Sequence, residues 1–195
     1  AQARRVLTQM DRDPDSPTFG CFDRNYWHYK IRDFPSSILQ QGVFLLEAIR
    51  RGDLAAELDA ATSARWALAA VNALSRQVRR SGAVDEYFPF ESSYPAAAFG
   101  LYAACRLLKD WRDEGSDLLQ DVEWDGLRRL AAHLDRRHEL KACNQYMAGI
   151  AGLALAAELP QMRVPADAAR RHADRLLASQ HGEGWFNEYG GPDFG

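Results

Sequence analysis

Four polar, aromatic stretches hold most of the residues in this chain with the means to do chemistry: FGCFDRNYWHYKIRDFPSSILQQ (19–41), VDEYFPFESSYP (84–95), KACNQY (141–146) and GWFNEYGGPDFG (184–195). The first sets Phe19, Phe22, Tyr26, Trp27, Tyr29 and Phe34 among Asp23, Arg24, His28, Lys30 and Asp33, each of which needs water or a partner. One chemistry on offer is proton transfer. His28 and Tyr26, Tyr29, Tyr87, Tyr94, Tyr146 and Tyr189 can exchange protons, while Asn144, Gln145, Arg24 and Lys30 can neutralise a ligand carboxylate. A tyrosine acts as base only if its pKa of about 10 is lowered, which a neighbouring Arg or Lys favours.

A second chemistry is hydrolysis by two carboxylates about 5–9.5 Å apart across a glycosidic bond. Asp23, Asp33, Asp85, Glu86, Glu91, Glu188 and Asp193 are the candidates. Acids ahead of helices also cap them or sit at the positive end of the dipole, and Glu91 is the one assigned to chemistry. Trp27, Tyr29, Phe88, Phe90, Trp185 and Tyr189 offer flat faces for stacking, whereas Phe19, Phe22 and Phe34 read as plugs beneath loops.

Helices must position these stretches. Ile38, Val43, Leu45, Leu46 and Ile49 form an apolar stripe that Gly52 ends; further helices are predicted over 61–80, 96–111, 121–137, 145–158 and 166–179. Pro95 suits a first turn, where its missing N–H is not needed. The helices pair as 36–80, 95–137 and 145–179, with a polar aromatic loop before each pair at intervals of roughly 50–60 residues. First helices are small and apolar, notably MAGIAGLALAA, and second helices carry paired arginines. A helix apolar on every side must be buried on every side, which puts first helices inside and second helices outside. No run alternates long enough to build a sheet. The fold class is therefore all-α: a curved array of three αα-hairpins, about half of a six-hairpin α/α toroid. Residues 1–18, with DRDPDSP, read as a linker or the tail of a preceding element, and residues 19–195 as the toroid piece.

Composition removes several function classes. A net charge of −3 over 195 residues lacks the concentrated basic surface that nucleic acid needs. Arg50-Arg51, Arg128-Arg129, Arg136-Arg137 and Arg170-Arg171 sit beside acids and read as solvated helix faces. Cys21, Cys105 and Cys143 form no metal or disulfide pattern and read as inert thiols, with Cys21 and Cys143 placed where they could line a pocket. No metal-ligand or cofactor motif is present, and Gly190-Gly191-Pro192 is a turn, not a phosphate cradle. No apolar run approaches the roughly 20 residues of a bilayer span. A start without Met and an end inside a loop suggest a piece of a longer, soluble protein whose targeting segment lies elsewhere; periplasm and cytoplasm both fit.

GCFDRNYWHYKIRDFPSSILQQG, DEYFPFESSYPAAAFGLYAA, NQYMAGIAGLALAAEL and GWFNEYGGPDFG together resemble the α/α-toroid domain of heparinase II/III-like and alginate-lyase-like polysaccharide lyases. The resemblance implies inner-helix loops lining a cleft for an acidic, uronate-containing polysaccharide, with the remaining toroid repeats and a β-sandwich domain as partners. It implies β-elimination, an Asn or Gln neutralising the uronate while Tyr and His exchange protons. The resemblance itself carries Asn144 and Gln145; with the residue chemistry above, the candidate catalytic set is His28, Glu91, Asn144, Gln145 and Tyr146. Substrate contacts fall to Asp23, Arg24, Trp27, Tyr29, Lys30, Tyr87, Trp185, Glu188 and Tyr189. Asn144-Gln145-Tyr146 stands where the family carries Asn-Asn-His or Asn-His, so the adjoining histidine is missing. Two alternatives stand beside the lyase: a non-catalytic helical scaffold binding glycan or protein through the aromatic rim, and a hydrolase using a carboxylate pair.

Overall fold

A computed structural model describes residues 2–192. Within them lie α1 (Gln2–Leu7), α2 (Arg24–Trp27), α3 (Val43–Arg50), α4 (Ala60–Gln77), α5 (Tyr94–Asp113), α6 (Trp124–Asp135), α7 (Cys143–Ala157) and α8 (Ala168–Ala178). The only β pairing among the described residues is isolated, Ala142 with Glu188 and Glu188 with Gly191. The protein is all-α, and no helix is long and apolar enough to cross a membrane.

The helices pair as α3/α4, α5/α6 and α7/α8. In the inner row α5 packs on both α3 and α7, most extensively on α7; in the outer row α4 packs on α6, and α8 covers α7. Local chemistry sets the boundaries. Asp59 caps α4 by accepting from Thr62 N at 2.8 Å, and Ser93 caps α5 by accepting from Ala96 N at 3.2 Å, with Pro95 in the first turn. Gly52, at φ +79°, closes the end of α3, and Gly82, at φ +87°, sits in the turn that follows α4; both occupy the left-handed region that glycine alone enters freely.

Small residues decide how closely the inner row packs. A Cβ on Gly152 would stand 3.1 Å from the Tyr102 backbone nitrogen, and one on Gly149 would stand 2.3 Å from Tyr94 Oη, so α7 lies almost backbone to backbone on α5. That contact buries Ala97, Ala98, Leu101, Cys105 and Leu108 of α5 completely or nearly so. Each large aliphatic side chain buried there contributes about 1.5–3 kcal/mol. Between the outer helices the corresponding contact is Gly126 of α6 against Ser75 of α4, where an added Cβ would lie 1.9 Å from the Ser75 carbonyl oxygen. Gly126→Ala is expected to lower unfolding stability by about 1–3 kcal/mol in denaturant titration, because the two backbones must part. An unchanged midpoint would show that α4 and α6 are not locked at that point.

Residues 2–18, read as a linker or the tail of a preceding element, are not free of the helices: beyond α1, Met10 is buried in the core and Asp11 is buried, its Oδ2 accepting from Ser16 Oγ at 2.5 Å and Thr18 Oγ1 at 2.6 Å. The acids of DRDPDSP tie a turn onto the start of the first aromatic loop, through Asp11 N to the Cys21 carbonyl at 2.8 Å. Nor is α7 buried all round. Met147 is 54% exposed and Ala154 is exposed, because no described helix lies beyond α7 on that side.

The outer arginines behave as solvated faces. Arg128 pairs with Asp125, Arg171 with Asp135 and Asp167, Arg50 with Glu47 and Glu114, and Arg51 with Asp53 and Asp110. The exposed pairs among these contribute about 0–1 kcal/mol each; Arg50–Glu47, whose carboxylate is buried, is not one of them. Trp111 is core, its Nε1 donating to buried Glu47 at 3.2 Å, while Trp66 and Trp124 pack against the core from its edge. All three cysteines are free. Burial pushes the Cys21 thiol up to about 12 and the Cys143 thiol up to about 11, the latter helped by the Glu188 carboxylate, so neither is a ready thiolate.

Candidate functional site

The four aromatic stretches become loop 1 (19–36), loop 2 (81–93), loop 3 (136–142) and loop 4 (179–192), and they touch one another in sequence. Loops 1 and 2 are joined by Arg32. Its guanidinium meets Asp23 Oδ2 at 3.2 Å, donates to the Glu86 carbonyl at 2.7 Å and lies over the Phe34 ring at 5.1 Å. Ser37 N, just after loop 1, donates to the Asp85 carbonyl at 2.9 Å. Loops 2 and 3 meet where Arg137 donates to the Ser92 carbonyl at 3.0 Å. Loops 3 and 4 pair as backbone: Tyr189 N donates to the Lys141 carbonyl at 2.6 Å and Cys143 N to the Asn187 carbonyl at 3.2 Å. The result is one continuous rim along the N-terminal ends of α5 and α7.

Loop 4 also completes α7. Ala142 has no side chain able to cap the helix, and Glu188, 44 residues after Asn144, does the work by accepting from Asn144 N at 2.7 Å. A carboxylate there faces the positive end of the helix dipole. Beside it Gln145 Nε2 donates to Tyr189 Oη at 2.6 Å. Asn144, Gln145, Glu188 and Tyr189, from two distant stretches, thus stand together. In loop 2 the charge of Glu86 and its hydrogen bond raise the pKa of the exposed Tyr87.

Loop 1 presents a separate aromatic group. His28 is exposed and lies edge-on between Trp27 and Tyr29, at ring distances of 5.2 and 4.9 Å. Arg24 lies over Tyr29 at 5.1 Å and Lys30 over Tyr26 at 5.9 Å. Trp27 is anchored, its Nε1 donating to the Gln9 carbonyl at 2.7 Å. No hydrogen bond or ring contact among the described residues links His28 to Asn144 or Gln145. Trp185 likewise keeps within loop 4: it stacks on His181 at 4.3 Å and donates to Glu183 at 3.0 Å. Asp193 lies outside the described residues.

The acids of the rim are occupied in holding it. Asp23 is 1% exposed; Oδ1 accepts from Asn25 N at 3.1 Å, and Oδ2 accepts from Ser36 N at 2.8 Å as well as from Arg32. Glu91 accepts from three successive backbone amides, Glu86 at 2.7 Å, Tyr87 at 2.9 Å and Phe88 at 3.2 Å. Asp85 pairs with Arg79 at 3.2 Å, and Glu86 accepts from Ser93 Oγ at 2.7 Å. These carboxylates fold the loops, which is work that acid spacing alone could not distinguish from chemistry.

Tyr146 sits beneath the rim with no solvent exposure, its hydroxyl between His172 Nδ1 at 2.8 Å and His138 Nδ1 at 3.1 Å. Burial raises its pKa, and burial likewise raises that of Tyr94, edge-on to it at 6.2 Å. The tyrosine shifts run upward at Tyr87, Tyr94 and Tyr146, opposite to what a tyrosine base requires. Sequence reasoning missed His138, His172, Asp135 and Arg175, which surround this hydroxyl. Nothing local signals them, because His172 lies 26 positions from Tyr146 on an outer helix.

Two further properties mark the rim. Among the described residues the non-glycine positions with positive φ are Lys30, Phe90, Ser92, Tyr189 and Arg163, and the first four lie in loops 1, 2 and 4. Such backbone costs of order 1–3 kcal/mol per residue and gathers at functional sites. The rim also exposes large rings: Tyr29 at 55%, Tyr87 and Phe88 at 69%, Tyr189 at 73% and Phe90 at 81%. It is an open surface. A cavity of about 610 Å³ lies elsewhere, between α1 and residues 55–58 with Trp66, and one of about 290 Å³ lies between loop 1 and α4, with Cys21, Tyr26 and Pro35 in its wall. No protein-family model, curated protein or solved structure matches the chain.

Proposed function

We propose that this chain is a carbohydrate-active helical domain that binds an acidic, uronate-containing polysaccharide along the rim and acts on it by β-elimination. The observation that carries the reading is the rim itself: loops far apart in sequence meet along one edge, bearing exposed tyrosines and phenylalanines on strained backbone, with Arg24 and Lys30 beside them. Aromatic faces stack on sugar rings, and cations with carboxamides suit uronate carboxylates. The two-layer packing of three hairpins is compatible with part of an α/α toroid.

In the elimination a base removes the proton at C5, its electron pair forms the C4–C5 double bond, the C4–O bond breaks, and an acid protonates the departing oxygen. Asn144 and Gln145, at the first turn of α7, take the carboxylate and stabilise the charge that develops on it. His28, exposed on loop 1 between Trp27 and Tyr29, is the base candidate. Tyr87, its phenol held protonated by Glu86, suits the acid.

A second reading, a binding scaffold without catalysis, is favoured by the burial of Tyr146 and by the occupied carboxylates of Asp23 and Glu91. Incubating the protein with uronate polymers separates the two. Ultraviolet absorbance from an unsaturated uronate marks elimination; reducing ends without it mark hydrolysis by a carboxylate pair. Retardation in polymer-loaded gels without either marks binding alone. Alanine at Tyr29, Phe90 or Tyr189 is expected to weaken retention roughly 2- to 10-fold each, the value of one aromatic contact. Unretarded wild-type protein that yields no product would overturn the carbohydrate assignment altogether.

A further inference from the structure

The hydroxyl of Tyr146 is the middle of a hydrogen-bonded run that joins α6, loop 3, α7 and α8. From it the run passes to His172, whose Nε2 reaches the Asp135 carbonyl oxygen at 3.1 Å and the Asp135 carboxylate at 3.3 Å. In the other direction it passes to His138, whose Nε2 meets the Arg175 guanidinium. The Asp135 carbonyl oxygen only accepts, so His172 Nε2 carries a hydrogen; with both rings neutral this fixes the direction of every other bond and agrees with a guanidinium that only donates at the far end. His138 Nε2 must accept, so its hydrogen is on Nδ1 and goes to Tyr146 Oη. Tyr146 then gives its own hydrogen to His172 Nδ1, and His172 Nε2–H goes to Asp135. Four bonds use four hydrogens, with both imidazoles neutral. Both nitrogens of both rings are used, which leaves neither ring free to face a ligand.

We propose that Arg175–His138–Tyr146–His172–Asp135 is a pH-sensitive latch, holding loop 3 and the α7 half of the rim in place only while both imidazoles are neutral. The mechanical link is short. The Leu140 and Lys141 carbonyls, which follow His138, accept from Asn187 Nδ2 at 3.2 Å and Tyr189 N at 2.6 Å, and the adjoining Glu188 caps α7. Protonating His138 sets an N–H against the guanidinium, two donors and two positive charges face to face. Protonating His172 turns Nδ1 into a donor and strips the Tyr146 hydrogen of its acceptor.

The surrounding charges support that direction. His138 faces Arg175 and His172 from α8, Tyr146 from α7 and Asp135 from the end of α6; Arg171 shares Asp135 at 3.0 Å. From α5, Tyr94 stands against Tyr146, with Arg137 and Glu139 beside it. Partial burial, then Arg175 and His172, hold His138 below the ordinary histidine value, with Asp135 opposing. A depressed imidazole contributes stability fully above its unfolded pKa of about 6.5, and loses it as pH falls from there through the folded value. The latch therefore holds in neutral and alkaline solution and opens on acidification. His133, also depressed by burial and Arg137, lies outside the run, so the test must resolve individual sites.

Side-chain ¹⁵N NMR of the wild-type chain reads the tautomers directly. At about pH 8, His138 is expected as the Nδ1–H form, the minority form of free imidazole, and His172 as the Nε2–H form. Amide protection at Cys143, Glu188 and Tyr189, corrected for intrinsic exchange, should fall as the solution is acidified from about pH 8 to below the ordinary histidine value of about 6.5. Tyr146→Phe keeps the ring but cuts the run, and in it that protection should be low already at about pH 8 and lose its pH dependence. An Nε2–H His138 in alkaline solution, a His138 midpoint at or above the ordinary value, or wild-type protection indifferent to pH would each overturn the latch. The wild-type measurements decide the matter even where Tyr146→Phe does not fold, and none of them requires a ligand.

Discussion

An Asp23→Ala protein is expected to unfold about 3–5 kcal/mol more easily than the parent, the cost of breaking a buried pair by removing one partner. Asp23 is 1% exposed, and its loss strands several groups: the Ser36 amide, the Asn25 amide at the start of α2, and the Arg32 guanidinium. Because Arg32 also holds the Glu86 carbonyl of loop 2, the damage should spread across the rim and not remain in loop 1. Chemical denaturation measures the total, and hydrogen exchange at residues 85–92 reads the spread. Asp23→Asn is the informative companion: it keeps one acceptor for the amides but not the charge for Arg32, and should cost less. If Asp23→Ala lost under about 1 kcal/mol, the ordinary worth of one hydrogen bond, then Arg32 would have been recovered by water and the junction would not be structural.

Tyr146→Ala is the second large effect expected, about 3–5 kcal/mol for an aromatic side chain removed from a packed core. Tyr146 has no exposure and touches Tyr94, His138 and His172 through its ring. Comparison with Tyr146→Phe divides the loss. The hydroxyl alone should account for about 1–3 kcal/mol, because without it the His138 donor and the His172 acceptor are unpaired beneath the surface. Thermal or denaturant unfolding gives both numbers. Equal losses in the two variants would mean that the ring contributes nothing, and equal stability of Tyr146→Phe and wild type would mean that the polar run contributes nothing.

The helices were legible for a local reason. In α5, Ala97, Ala98, Leu101, Ala104, Cys105 and Leu108 recur at intervals that place them on a common buried stripe, and Pro95 announces the start. The small residues of α7 pointed correctly to close packing, yet its exposed Met147 face did not follow, since exposure depends on which neighbours are present. The loops were legible as a class and not as individuals. Acid spacing assigns Glu91 to chemistry and Asp23 to substrate contact, whereas their actual partners are successive main-chain amides for Glu91 and, for Asp23, a guanidinium and main-chain amides. Main-chain donors leave no mark in a sequence.

The order of apolar and polar residues by itself determined an all-α chain of three paired helices with aromatic loops at the heads of the inner ones, because turn-to-turn spacing and capping act over a few residues. Only the tertiary structure decided which loop residues meet. Glu188 caps a helix 44 positions earlier, Arg32 bridges to a carbonyl 54 positions later, and His172 finds Tyr146 from 26 positions away. Such meetings are set by how closely α5 and α7 stack, and so by glycines and alanines that carry none of the chemistry they bring together.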